Sequence, residues 1–335
     1  MKSIELFAGA GGMALGLEMA GFKTIGLVEN NKFASQTLKK NKPNWNVINE
    51  NIEKISELDL EKYFALKKGE LDLLSGGAPC QSFSYAGKKL GLEDTRGTLF
   101  YHYARFLKKL QPKMFLFENV KGLLSHDKGK TYQIISEVFE NEGYFIYKKI
   151  LNANNFGVAQ KRERLFIVGI RKDLFKKGYK FNFPKKHKYK PVLKDILLNC
   201  PLSQGASYSE KKKKIFELVP PGGNWKNIPV SIAKEYMKGT WDSKGGHTTT
   251  LRRMSFDEPM FTVMTSPSQK LTERCHPVET RPFTIRENAR CQSFPDEWLF
   301  IGSIAEQYKQ IGNAVPVLLA YEIGKEIKKT LKKQN

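Results

Sequence analysis

The chain has 335 residues, 40% of them hydrophobic and 27% charged, and 56 Lys and Arg against 34 Asp and Glu leave a formal charge of +22. This apolar content excludes a disordered chain, no run of 18 apolar residues offers a membrane span, and four scattered cysteines and five scattered histidines exclude a disulfide framework and a zinc clamp. The excess charge points to a polyanionic partner, with a generically basic surface as the equal alternative.

A chain of this length predicts two domains. The N-terminus passes straight into a strand-like run without an apolar leader, so the expected location is the cytoplasm. Strands are predicted over residues 3–7, 24–28, 71–75, 114–117, 145–151 and 165–170, with helices over 13–20, 32–40, 99–110 and 132–142 between them. This alternation predicts an α/β fold with a mostly parallel sheet. Between the first strand and its helix lies Phe7-Ala8-Gly9-Ala10-Gly11-Gly12, where glycines let backbone approach a ligand at a helix N-terminus. Glu29 ends the second strand, placed to accept both ribose hydroxyls of an adenosine-type cofactor. The glycines alone would equally suit a tight turn or a nicotinamide oxidoreductase.

The strand at 71–75 runs into Gly76-Gly77-Ala78-Pro79-Cys80-Gln81-Ser82-Phe83-Ser84. A cysteine at the carboxyl end of a parallel strand sits where open α/β sheets bind ligands, and its polar neighbours Gln81, Ser82 and Ser84 argue against a buried structural thiol. Further along, Glu118 ends an apolar strand, and Gln160-Lys161-Arg162-Glu163-Arg164 enters another. Residues two apart on a strand share a face, so Arg162 and Arg164 are expected together with Glu163 pointing away. Taken singly, each could be a solvated strand end. From about residue 172 the chain turns basic, aromatic and aperiodic, which marks a domain boundary. The stretch to about residue 280 reads as loop-rich with short strands, and a final amphipathic helix is expected over 317–333.

Together these segments resemble the DNA (cytosine-5) methyltransferase family. The matching motifs are the glycine loop, Pro79-Cys80-Gln81-Ser82-Phe83-Ser84, Glu118-Asn119-Val120, Gln160 to Arg164, Arg281 to Arg290 and Gln310-Ile311-Gly312-Asn313-Ala314-Val315-Pro316. The resemblance spans nearly the whole chain; only about residues 172–260 lack a family-wide pattern, where the family keeps its target-recognition region. It implies a Rossmann-like S-adenosylmethionine-dependent catalytic domain built from residues 1–180 and 304–335, with a target-recognition domain and hinge over 181–303. The implied reaction transfers a methyl group to C5 of a flipped-out cytosine in a specific duplex DNA sequence through a covalent Cys80–C6 adduct, leaving S-adenosylhomocysteine.

The implied catalytic residues are Cys80 as nucleophile, Glu118 at N3 and the exocyclic amine, Arg162 near the thiol and Arg164 at the O2 carbonyl. The cofactor set is Phe7, Ala8, Gly9, Gly11, Gly12, Glu29, Asn30, Asn51, Ile52, Pro79, Leu99, Asn313 and Ala314. Asn51 departs from the family's usual Asp before Ile, but its carbonyl oxygen can still accept from an adenine amine. Gln81, Ser82, Ser84, Lys88, Lys89 and Arg96 are expected at DNA, the lysines and Arg96 on a loop closing over the flipped base; Arg252 and Arg253 are candidate base readers. Partners implied are double-stranded DNA and a separate cognate restriction endonuclease, the chain being a monomer without a metal or a membrane, in a bacterial cytoplasm at the nucleoid. A tRNA-directed cytosine-5 methyltransferase and a catalytically silent DNA-binding regulator are the alternatives.

Overall fold

The computed structural model describes residues 1–78, 99–241, 248–267 and 272–332. Its main sheet contains β1 (Lys2–Leu6), β2 (Lys23–Val28), β3 (Val47–Ile48), β4 (Leu73–Gly76), β5 (Met114–Val120), β6 (Tyr144–Asn152) and β8 (Glu163–Arg171), while β7 (Gln160–Lys161) lies outside it. The spatial order is β3-β2-β1-β4-β5-β8-β6, with β8 antiparallel to both its neighbours and the other pairings parallel. Chain order reverses between β1 and β4, so their carboxyl ends open the crevice in which such sheets bind ligands.

Helices cover both faces, which is why the central strands read as near-continuous apolar runs. They are α1 (Gly12–Met19), α2 (Lys32–Asn41), α3 (Ile52–Glu57), α4 (Leu60–Phe64), α5 (Leu99–Leu110) and α6 (Lys130–Asn141). Along β5 the faces alternate. Phe115 and Phe117 pack with Phe100, Tyr103 and Phe106 of α5 and Phe139 of α6, while Met114 and Leu116 join the opposite core. That second core also holds Leu17 of α1 and Leu319, Ala320 and Ile323 of the last helix, α13 (Val317–Lys332). A Cβ on Gly16 would strike the Val317 carbonyl and approach Ala320 to 2.7 Å, so the close pairing of α1 with the C-terminal helix requires glycine there.

The region after β8 carries more helix than its composition predicts: α7 (Lys172–Lys176), α8 (Leu193–Leu197), α9 (Glu210–Glu217), α10 (Val230–Met237) and α11 (Ile285–Cys291), followed by α12 (Ile304–Asn313). Its strands β9 (Arg252–Arg253), β10 (Met260–Phe261) and β11 (Arg274–Cys275) have two residues each. Helix α11 starts with a capping box, Thr284 and Glu287 each bonding the other's backbone N–H. Tyr208, Phe216, Val219, Ile228, Leu251 and Cys275 form a small core of their own. Residues 283–300, by contrast, pack through Phe294, Trp298 and Phe300 onto Ala10, Leu38 and Trp45 beside the glycine loop.

Candidate active site

The glycine loop leaves β1 through Phe7, whose φ of +57° is unusual for a residue with a side chain and turns the chain sharply at the crevice. Gly9, at φ +54°, would have nothing within 4 Å of an added Cβ, so its surface is open to a ligand. Gly11 and Gly12 are glycine for packing: a Cβ on Gly11 would lie 2.6 Å from Leu38, and one on Gly12 would collide with the Val315 carbonyl. Buried Glu29 accepts hydrogen bonds from the Gly9 and Asn31 backbone N–H groups, each at 2.7 Å. Burial pushes its pKa up, and those N–H groups partly oppose the shift. Each carboxylate oxygen retains acceptor capacity for a hydroxyl.

Other residues expected at the cofactor lie in the two apolar clusters or at helix ends. Phe7 and Leu99 pack on the same apolar cluster as Ile52, and Ala8 is buried against Trp45 and Ala314 in the neighbouring one. Asn51 is the N-cap of α3, its Oδ1 accepting from Glu53 N–H at 3.2 Å, and Asn30 is exposed. Asn313 is exposed at the end of α12, followed by buried Ala314. An open glycine turn, a buried carboxylate at ribose reach and apolar walls fit S-adenosylmethionine.

Beside this crevice, Glu118 on β5 faces the start of the nucleophile segment. An added Cβ on Gly77 would come within 2.7 Å of Glu118 Oε2, and Asn119 Nδ2 donates to the Ala78 carbonyl at 3.0 Å. The segment that leads to Cys80 is thus tied to β5. Arg164 pairs with Glu118 at 3.1 Å. Burial pushes the Glu118 pKa up against the pull of the Arg164 and Arg162 guanidiniums. Glu163 points away, exposed and paired with Lys121 at 2.9 Å.

Arg162, the positive charge expected near the thiol, is 2% exposed and donates to the Val263 carbonyl at 3.3 Å and the Gly312 carbonyl at 2.9 Å. Burial and the neighbouring Arg164 lower its pKa to about 9, which leaves it charged at neutral pH. Gln160 is buried alongside: its Nε2 donates to the Cys291 carbonyl and to Gln292 Oε1, and its Oε1 accepts from Val263 N–H. Gln292 Nε2 donates onward to the Ile311 and Ala314 carbonyls. Sequence reasoning singled out neither glutamine for this bridging role: Gln160 opens the motif that runs to Arg164, and Gln292 lies outside every motif named above.

Pro79, Cys80, Gln81, Ser82, Ser84, Lys88, Lys89 and Arg96 lie outside the described residues. The two arginines expected to read bases are corrected. Arg253 is buried, donating to the Val219, Phe216 and His276 carbonyls and to Thr280 Oγ1, which staples the small core together. Arg252 is half-buried, with its terminal nitrogens on the Gly222 carbonyl and Glu258. Neither terminal fork is available to a guanine edge.

Residues 1–329 match the family of C-5 cytosine-specific DNA methylases. The Type II methyltransferase M.Sau96I of Staphylococcus aureus is 56% identical over 324 residues, covering 96% of this chain and 74% of that protein. M.Eco47II of Escherichia coli, also a Type II methyltransferase, is 48% identical over 340 residues, covering 99% and 80%. The fold is shared with a DNA modification methyltransferase encoded within an E. coli prophage, at a TM-score of 0.73, 24% identity and 99% and 100% coverage. A sheet of this order with a glycine turn and a carboxylate at its switch point defines a Rossmann-like methyltransferase. The chain belongs to the C-5 cytosine-specific DNA methylase family and is a DNA (cytosine-5) methyltransferase.

Proposed function

We propose that this enzyme methylates one cytosine within a specific duplex sequence, using Cys80 as nucleophile and Glu118 as the acid at N3. The observation that carries the residue assignment is the half-buried Glu118–Arg164 pair beside Gly77, three residues before Cys80 in the chain. Bound S-adenosylmethionine supplies an electrophilic methyl group; Glu29 would hold its ribose, Phe7, Ile52 and Leu99 its adenine, and Asn313 with Ala314 its amino-acid end. Gly9 gives it room.

C5 of cytosine is a poor nucleophile until a group adds at C6. The Cys80 thiolate forms the Sγ–C6 bond while the Glu118 carboxyl gives its proton to N3, so the ring's electron density collects at C5. Arg164 fixes Glu118 and can reach the O2 carbonyl, whereas Arg162 acts by position, holding the Val263 and Gly312 segments around the site. After C5 has taken the methyl group, loss of its proton to a base breaks the Sγ–C6 bond, and N3 returns its proton to Glu118. The base must leave the duplex first, at a cost of about a few kcal/mol. Lys88, Lys89 and Arg96 would offset this by gripping phosphates.

Residues 1–180 with 304–335 would form the catalytic body and 181–303 the target-reading part and hinge. The Type II names of the relatives support a cognate restriction endonuclease acting separately, with this enzyme working as a monomer on cytoplasmic DNA. Mapping methylated cytosines in a plasmid co-expressed with the protein tests the whole proposal. One modified sequence, methylated at C5, is expected; modified tRNA with unmodified plasmid would overturn it.

A further inference from the structure

The ring of Phe261 on β10 gathers three cations. Arg274 lies 4.9 Å from its centroid, Arg252 5.5 Å and Lys161 5.9 Å. Near them, Glu258 is taken by Arg252 at 2.5 Å, and Glu273 is occupied by Lys212 and the Tyr236 hydroxyl. Among the described residues, no carboxylate pairs with Arg274 or Lys161. The Nε atoms of both Arg252 and Arg274 are buried with no hydrogen-bond partner. Both Nε atoms are enclosed by the protein, so each is a buried unpaired donor that leaves its guanidinium dependent on outside charge for compensation.

The site adjoins the chemistry. Phe261 pairs in register with Lys161 across the β10–β7 contact, and Lys161 is the residue before Arg162. The three cations therefore come from two parts of the chain that meet one residue from Arg162. We infer that Lys161, Arg252 and Arg274 form a binding site for a backbone phosphate of the substrate DNA, with Arg274 as its principal donor. The inference rests on DNA being the substrate. A phosphate suits the donors that remain. Arg252 has spent its terminal nitrogens on Gly222 and Glu258, and Arg274 has given Nη1 to the Thr249 and Glu273 carbonyls at 3.1 and 2.6 Å. What is left for a ligand are Arg274 Nη2, which makes no hydrogen bond among the described residues, and the ammonium of exposed Lys161, point donors that suit a phosphate oxygen better than the coplanar O6 and N7 of guanine. Burial and the Arg252 charge lower the Arg274 pKa to about 10, so an anion would relieve both. Arg252 and Arg253 were singled out as part of a segment in the variable region, and Arg274 escaped notice because nothing local distinguishes it.

The test is a salt titration of DNA binding by fluorescence anisotropy, from about 50 to 200 mM, on a duplex that carries the methylated sequence and one that does not. Arg274→Gln and Lys161→Gln are each compared with wild type, and Arg274→Lys serves as the charge-preserving control. Each neutralising variant should weaken both duplexes equally and make the slope of log K against log salt shallower, by at most about 0.9 since the cations share one phosphate. Arg274→Lys should hold the wild-type slope. Exposed Lys161 carries the test if Arg274→Gln does not fold. An unchanged slope in the folded variants overturns the inference, as does a loss confined to the duplex with the target sequence, which would make Arg274 a base reader. Labelled methyl transfer by wild type to the same duplex is measured separately, so a failure of DNA as substrate is distinguishable from a failure of this phosphate site.

Discussion

Glu118 sits between Arg164 and the backbone of Gly77, and burial holds its proton to a higher pH than a solvated carboxyl would. As an acid at N3 it is active only while protonated, so the rate should fall as pH rises through its raised pKa. Glu118→Gln keeps a hydrogen-bond donor but cannot transfer a proton; kcat should fall about 10²–10⁴-fold and the high-pH limb should vanish. Single-turnover rates across pH measure both, and a Gln variant with an unchanged profile would remove Glu118 from the chemistry. Glu5 offers a stability test. It lies buried beside Glu29, which together push its pKa well above the ordinary value, and its Oε2 has no partner. The folded state therefore binds a proton that the unfolded state releases. Stability from this group is lost as pH rises from the ordinary carboxyl range towards the raised value. Glu5→Gln, which mimics the protonated form, should gain thermal stability over wild type at pH 8 relative to pH 5. A Tm difference independent of pH would contradict this.

At the scale of elements, the segments that meet around Arg162 are joined by buried side chains rather than by long strands. Gln160 satisfies Val263 N–H, the Cys291 carbonyl and Gln292 at once, so Gln160→Leu leaves several buried groups unpaired. The expected loss is about 1–3 kcal/mol for each group left without a partner, read by chemical denaturation. A change below about 0.5 kcal/mol would mean that water or repacking replaces those bonds. Gly312 has the same logic from the backbone side, since a Cβ there would lie 2.6 Å from Met264. Much of the catalytic half was legible because local chemistry announces it. Strands β1 and β2 end one residue before Phe7 and Glu29, apolar β5 carries Glu118 two residues from its end, and the glycine turn needs φ values that favour glycine. Arg253 was misjudged because an arginine in sequence reads as a surface cation, and only tertiary contacts show its guanidinium on buried carbonyls. The short strands expected up to about residue 280 could not be placed from sequence, because β9, β10 and β11 have two residues each and carry no period.

For the whole molecule, the small core around Phe216 and Leu251 is separate from the cores beneath the sheet, whereas residues 283–300 pack beside the glycine loop. Exchanging residues 185–275 with those of a relative of different specificity should therefore move the methylated sequence and leave the product as 5-methylcytosine, as plasmid mapping would report. An active chimera that keeps the original target would place recognition elsewhere. The central claim, that Cys80 attacks a cytosine held by Glu118 and Arg164, is tested most directly with duplex DNA carrying 5-fluorocytosine at the mapped position. Fluorine cannot leave C5 as a proton does, so wild type in the presence of S-adenosylmethionine should form a denaturation-resistant protein–DNA adduct through Cys80. Cys80→Ser should bind the duplex and form none. An adduct on Cys80→Ser, or methyl transfer by wild type to that cytosine without any trapped complex, would contradict the account.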